Sequence, residues 1–490
     1  MRILLHIYEL SRGARGGSNI VPLMEPAPAP PAPGPPPWFW IAGAATLAHA
    51  LILALGLPLF SALPGWFWPL AAKELRWPWL LALAGAAALL ARAAWTARRT
   101  AARLAALLAL GYALQLGFAL AEGRGLAGLR DRMVVSGHAR FVEMAIERQG
   151  LVETVRDYED LVYEGALGRF APSKPPGQLL LYMLWERAGS WFAGDAPPQV
   201  RAARMRDQAT VLWPLFAAAA VVPLYFLGRR LVDERGATAA ALLYAFVPAF
   251  GLVTLHTDQV FFPLFFTATL LVGVVAAARA SPALGLATGV AAYLAAFCTF
   301  PLALALPVAV AVSFDRVRRR ALAATWGAAL AGFLATDLVF RLQLGYDIVE
   351  RYRTATMYHA WWKGWRPGLG ETLKYGAVNL LEYVLWLGLP LALAVAARAA
   401  RADRDLRRGS WSGATPLTVA LLGALVVLLA LGQTKGEVAR LWLFLVPGFC
   451  LVAADELRAG RLVRWRGTLP WLLALQFATT LATKAFQDFW

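Results

Sequence analysis

The string Ser173-Lys174-Pro175-Pro176-Gly177 has the clearest chemical content in this 490-residue chain. Two prolines fix the direction in which a following helix starts, Gly177 leaves the backbone open to close approach by a ligand, and the first helical turn presents amide donors beside the Lys174 ammonium. Such a corner suits a phosphate group. It equally suits a stiff helix-initiating turn whose lysine snorkels to a membrane interface. Polar residues also collect at His256-Thr257-Asp258-Gln259 and at Lys435-Gly436-Glu437 with Arg440. Any one polar turn is ordinarily just solvated, so their meaning depends on whether the fold brings them to one side. Cys298 and Cys450 sit inside apolar runs and show neither a disulfide framework nor metal-ligand spacing.

The elements that must position these residues are membrane helices. The residues AVILMFWYC make up 59% of the chain and charged residues 16%, against about 25% charged in soluble domains. Crossing a hydrocarbon core of roughly 30 Å takes about 20 helical residues. Thirteen apolar runs meet or approach that length: 38–60, 77–95, 101–121, 209–228, 236–254, 259–278, 282–298, 300–314, 321–341, 375–397, 414–431, 438–455 and 468–486. Threaded with a cytoplasmic N-terminus, they place 24 arginines on the cytoplasmic side, including Arg98, Arg103, Arg229, Arg320, Arg398 and Arg458, against nine acidic residues. That excess of 15 is nearly all of the net +17, so the charge reads as positive-inside topology and not as a nucleic-acid footprint. The domain reading is a disordered, Pro-rich cytoplasmic N-terminus over 1–37, with Met24 as an alternative start, then one transmembrane domain over 38–490. The few apolar residues before Glu9 are too few for a secretory signal.

The same threading sends two long loops, 122–208 and 342–374, to the extracytoplasmic face together with all the polar turns above. Loops of this length are usually functional. In the first, Phe141, Met144, Ala145 and Ile146 alternate with Arg140, Glu143, Glu147 and Arg148, which predicts an amphipathic helix over 137–148 lying on the bilayer surface. A second surface helix is expected after Pro176, through Leu179, Leu180, Met183 and Leu184 to Trp191, with Glu186 and Arg187 arguing against a span. The second loop mixes Tyr346, Tyr352, Tyr358, His359, Trp361, Trp362 and Trp365 with Arg351, Arg353, Lys363 and Arg366. Aromatic faces and cations suit a sugar phosphate, yet a Trp and Tyr belt at the membrane interface is the more ordinary meaning. Asp337 and Glu382 fall inside spans near this face, as functional groups or as structural partners of a neighbouring arginine.

On the Ser173–Gly177 string, the acidic turn at Asp258, the Gly436-Glu437-Val438-Ala439-Arg440-Leu441-Trp442 segment and the large loop with surface helices, the chain resembles the GT-C superfamily of glycosyltransferases over roughly residues 101–455. The nearest branch is that of the protein mannosyltransferases and the lipid A aminoarabinose transferase. The resemblance implies an all-α polytopic fold of about 13 spans that carries its active site extracytoplasmically. It also implies inverting transfer of a sugar from a polyprenyl-phosphate donor to a protein, lipid or glycan acceptor. The Ala-rich, Arg-over-Lys composition points to a bacterial plasma membrane.

The chain departs from the family twice: its catalytic loop follows the third span instead of the first, and the stretch where an acidic base is usual reads Ser136-Gly137-His138-Ala139-Arg140. His138, Glu143, Asp131 and Asp258 are therefore all candidates for the base. A single displacement needs a proton acceptor facing cations that stabilise the departing phosphate. His138 with Glu143 would supply the first, and Lys174 with Arg440 the second. Asp258 would orient the acceptor or hold a divalent cation, although too few ligands are recognisable to assign a metal. His256, Gln259, Lys435 and Glu437, with Pro175, Pro176 and Gly177, complete the expected binding set. A transporter or lipid flippase would also suit thirteen spans, but the sequence has no obvious internal repeat. A non-catalytic assembly protein of the same fold would account for the missing acidic pair.

Overall fold

The structure is a computed structural model that describes residues 37–135, 139–148, 150–194, 196–252, 255–314, 319–364, 368–411, 413–459 and 465–487. The Pro-rich N-terminal segment with Met24, His138, Trp365 and Arg366 lie outside the described residues. Among those residues the secondary structure is helical, with one isolated antiparallel bridge between Leu70 and Gln487. Helix covers the core of each apolar run named above. Among the described residues, six helices are long and apolar enough to cross a membrane, or seven if a bent pair counts as one. Pro282–Cys298, Phe300–Val312 and Thr415–Leu431 are apolar but shorter.

Several runs fold differently from their sequence pattern. The first helix, Pro37–Ala54, stops where Gly56 adopts φ 63° ahead of Pro58, and the chain then continues largely without helix to Arg76. The run over 375–397 is two helices, Leu369–Leu387 and Leu389–Arg407, that meet at 111°. Gly388 has φ 91°, Pro390 cannot donate to the preceding turn, and the Gln476 side chain bonds the Leu387 carbonyl at 2.9 Å, so the break is satisfied from a neighbouring helix. The run over 209–228 begins earlier, at Pro198, because charged residues such as Arg201 and Arg204 end an apolar pattern without ending a helix. That helix continues after a short break as Val221–Leu231.

The amphipathic helix Ala139–Glu147 forms as expected, but its apolar face meets protein and not lipid. Phe141, Val142, Met144, Ala145 and Ile146 are all buried, and Phe141 stacks on Tyr182 of the Gly177–Ala193 helix at 5.4 Å. Tyr182 in turn meets Trp213 edge-on at 5.3 Å. An apolar stripe specifies burial and leaves open which surface buries it. This satellite core anchors the loop that carries Lys174.

Ion pairs also tie helices to one another. Arg103 bonds Glu234 and also the Tyr225 hydroxyl at 2.8 Å, while Arg398, itself buried, pairs with Asp455 at 2.7 Å and donates to Thr415 at 2.9 Å. Elsewhere the helices pack backbone to backbone. A Cβ built on Gly289 would collide with the Ala329 carbonyl oxygen of the Arg319–Leu344 helix, so the crossing of Pro282–Cys298 over that helix depends on a missing side chain. Gly289→Val is expected to destabilise the protein by about 1–3 kcal/mol through overpacking. A drop in the thermal midpoint of the detergent-solubilised variant checks this, and an unchanged midpoint would show that the crossing relaxes freely.

Candidate functional site

Five segments converge on one cavity of about 330 Å³. The first is the turn ahead of the Gly177–Ala193 helix. Ala171–Ser173 form a short 3₁₀ turn, and Lys174 is extended with φ −132°. The Tyr158 hydroxyl donates to the carbonyls of Ala171 at 3.0 Å and Lys174 at 3.3 Å. The fully buried Arg351 donates to the Pro172 carbonyl at 2.7 Å and to Glu159 at 2.9 Å. Ser173, Lys174 and Pro175 line the cavity, whereas Pro176 and Gly177 do not. A Cβ on Gly177 would strike the Phe297 carbonyl, so this glycine admits another helix end where the sequence suggested a ligand.

The second segment holds Asp258, 1% exposed, with Lys174 Nζ at 3.7 Å on one oxygen and Arg440 Nε at 3.3 Å on the other. Neither carboxylate oxygen has a hydrogen bond of good geometry. His256 and Gln259 are buried and do not line the cavity; the ring of His256 meets Arg440 at 3.3 Å. Thr257 accepts from the Gln178 amide at 2.6 Å, fastening this turn to the first.

The third segment, 433–442, is the most constrained. Gly436 and Glu437 both take left-handed backbone, φ 70° and 63°, and for the non-glycine Glu437 this costs about 1–2 kcal/mol. Two side chains one turn apart on the Leu369–Leu387 helix hold it there. Asn379 accepts from the Gly436 amide at 3.0 Å and donates to the Thr434 carbonyl, and Glu382 accepts from the Ala439 amide at 3.0 Å. Glu382 also accepts from Trp68 at 2.8 Å, so the non-helical stretch after the first helix braces the loop too. Glu382 is thus a backbone holder, and Asp337, bonded to Arg341 at 2.7 Å, is likewise a structural partner.

Glu437 so placed pairs with Arg440 at 2.6 Å and with Lys363 at 3.1 Å. Burial would raise its carboxyl, but Arg440 and Lys363 outweigh it and hold the group below its ordinary value. Burial also pushes the Lys174 ammonium down, against the pull of Asp258. Lys435 sits 4.3 Å from the Tyr375 ring centre and 3.8 Å from Glu371.

The fourth segment is the Ile348–Trp362 helix, started by Asp347, whose carboxylate accepts from the amides of Val349 and Glu350. Tyr352, Ala355, Thr356, His359, Trp362 and, just past its end, Lys363 line the cavity. Reading this loop as an interfacial belt overlooked their spacing: positions 352, 356, 359 and 363 fall on one helical face. The Gln433 amide donates to the Tyr352 hydroxyl at 2.7 Å. The fifth segment, around Thr299, Phe300, Pro301 and Leu304, forms an apolar wall with Val427, Leu428 and Leu431, of which Val427 and Leu431 are 45% and 47% exposed.

Of the expected proton acceptors, only Asp258 reaches this cavity among the described residues. Glu143 is exposed and pairs with Arg140 at 3.1 Å, Asp131 is half-buried beside Arg124 at 3.6 Å, and His138 lies outside the described residues. No group of three or more His, Cys, Asp or Glu side chains among the described residues could hold a metal. The charged neighbours of Asp258 are cations, a surrounding that does not fit a divalent ion. The cavity lining carries four cations, Lys174, Lys363, Lys435 and Arg440, against two carboxylates, Asp258 and Glu437.

No family model matches the chain, and no curated protein matches it. Its fold is similar to solved structures of an oligosaccharyltransferase from Archaeoglobus fulgidus. The complex of that enzyme with Zn and sulfate is 16% identical, with a TM-score of 0.49 over 77% of this chain and 52% of that one. The form tethered to an acceptor peptide containing the NVT sequon is 15% identical, with a TM-score of 0.49 over 78% and 55%. The enzyme in complex with an inhibitory peptide and a dolichol-phosphate is 15% identical, with a TM-score of 0.43 over the same shares. The chain spans about half the length of these structures.

The Lys174–Asp258–Arg440 link generates a direct test. Asp258→Asn removes the shared counter-charge from two largely buried cations, a change expected to cost about 3–5 kcal/mol. Adding Arg440→Gln is expected to restore part of that loss. A double-mutant cycle on thermal midpoints measures the coupling, and strict additivity would show that the pair is energetically idle.

Proposed function

We propose that this chain is a multi-pass membrane glycosyltransferase that moves a sugar from a polyprenyl-phosphate carrier to an acceptor at the extracytoplasmic face, with inversion. On this reading the N-terminus is cytoplasmic, the chain crosses a bacterial plasma membrane about thirteen times, and the acceptor is a protein, lipid or glycan. The observation that carries the proposal is the cavity lining: four cations against two carboxylates, beside aromatic faces and a partly exposed apolar wall. A phosphate anion offsets the surplus positive charge, the rings of Tyr352 and Trp362 suit a sugar, and the wall of Leu304, Val427 and Leu431 suits an isoprenoid chain.

The chemistry follows from that occupancy. The acceptor oxygen attacks the anomeric carbon from the face opposite the phosphate. The bond from that carbon to the phosphate oxygen breaks, its electron pair stays with the phosphate, and the anomeric configuration inverts. Lys174 and Arg440 stabilise the growing negative charge. Asp258 keeps those two cations aligned.

The test is titration of the purified protein in detergent with polyprenyl phosphate, followed by assay of polyprenyl-phosphate hexoses and pentoses for release of labelled sugar. Lys174→Ala is expected to weaken carrier binding about tenfold to a hundredfold, the worth of one charge-assisted hydrogen bond. Carrier binding without turnover of any donor would move the assignment to transport or assembly. No binding to the wild-type protein would end the phosphate reading.

A further inference from the structure

Transfer to a hydroxyl needs a group that takes its proton, and the two carboxylates of the cavity are poorly suited to it. Asp258 has Lys174 at one oxygen and Arg440 at the other, and Glu437 has Lys363 at one and Arg440 at the other, so every carboxylate oxygen already faces a cation. From the geometry we infer that His359 is the catalytic base of the transfer, and that binding of the phosphate donor switches it on. This inference rests on the function proposed above and adds to it the identity and control of the proton acceptor.

His359 projects from the cavity-lining face of the Ile348–Trp362 helix. The edge of the Trp362 ring packs against it, with centroids 6.0 Å apart. Burial, then Lys363 and Lys174, lower its pKa to about 4, while Glu437 and the Gln433 carbonyl pull the other way. The ring is therefore neutral throughout the physiological range and able to accept a proton, though weakly basic in the empty cavity.

Donor binding changes that balance. The phosphate settles its charge beside Lys174 and Lys363, the same two cations that suppress the imidazolium. Its negative charge raises the basicity of His359, and the departing phosphate, gaining charge as its bond to the sugar breaks, raises it further. In the balanced step, the acceptor oxygen forms its bond to the anomeric carbon and its proton passes to the unprotonated imidazole nitrogen. The carbon–oxygen bond to the phosphate breaks with its electron pair on the phosphate. The imidazolium then returns its proton to solvent. Without the donor the base is quiescent, which limits wasteful activation of water.

The chain has five histidines, so the His359 resonance can be assigned by subtracting the spectrum of His359→Gln. The experiment is a pH titration of ¹³C,¹⁵N-histidine-labelled protein in detergent micelles, with and without polyprenyl phosphate. The His359 pKa is expected to rise by roughly a pH unit or more when the carrier binds. His359→Gln is expected to bind polyprenyl phosphate with an affinity within about twofold of wild type while sugar release falls about a hundredfold or more. Retained binding also reports that the variant is folded, and the wild-type titration needs no variant to be read. Lys174-dependent carrier binding that leaves the His359 pKa unmoved, or undiminished sugar release by His359→Gln, would overturn this inference while leaving the transferase reading intact. Failure of the wild-type protein to bind the carrier would overturn both.

Discussion

Asp258 is the point on which the site turns. It is buried between the ammonium of Lys174 and the guanidinium of Arg440, and each of the three residues comes from a different part of the chain. A carboxylate in that position is stable only while both cations are present, and the cations tolerate each other's proximity only while it is there. The link therefore holds the first large loop, the 255–262 segment and the 433–442 loop in one geometry. The remaining cavity cations have partners of their own, Lys363 in Glu437 and Lys435 in Glu371. What the link costs in desolvation it returns as a preorganised field, the form of stabilisation that a developing negative charge can use without rearrangement.

Holding that link in place requires supports drawn from well outside the cavity. The left-handed pair Gly436–Glu437 would relax if free, so Asn379 and Glu382 grip its backbone from below, and Trp68 reaches Glu382 from the stretch after the first helix. The break at Gly388 has a related consequence. It ends the Leu369–Leu387 helix that carries both grips at a 111° bend, so the helix need not continue in line with the Leu389–Arg407 segment. On the other side, Arg351 and Tyr158 fix the carbonyls of the turn before Lys174. The helix that provides Arg351 also provides His359 and reaches Lys363, so one rigid element sets the distance between a cation of the cavity and its neutral imidazole.

Membrane-type helices, their approximate positions and the convergence of Lys174, Asp258, Glu437 and Arg440 were all legible in the sequence. Apolar run length and charge position are local properties, and a helix long enough to span a bilayer must display them along its own residues. The 348–363 face was legible in principle, because Tyr352, Thr356, His359 and Lys363 repeat at helical spacing, but their aromatic and basic character matched an interfacial belt equally well.

Tertiary structure alone decided which charge meets which, what covers each apolar face, and where an apolar run bends. The pattern Phe141, Met144, Ala145 and Ile146 reads identically whether lipid or Tyr182 covers it, because a hydrophobic stripe records a need for burial and not the identity of its partner. Gly177 reads identically whether a ligand or the Phe297 carbonyl takes up the space its missing side chain leaves. Glu382 and Glu437 are the same residue type near the same surface, yet one holds backbone amides and the other holds cations. The difference lies largely in neighbours distant in sequence, Trp68 and Ala439 for Glu382 and Lys363 for Glu437, and electrostatic energies depend on those distances and on burial. A one-dimensional pattern carries neither quantity.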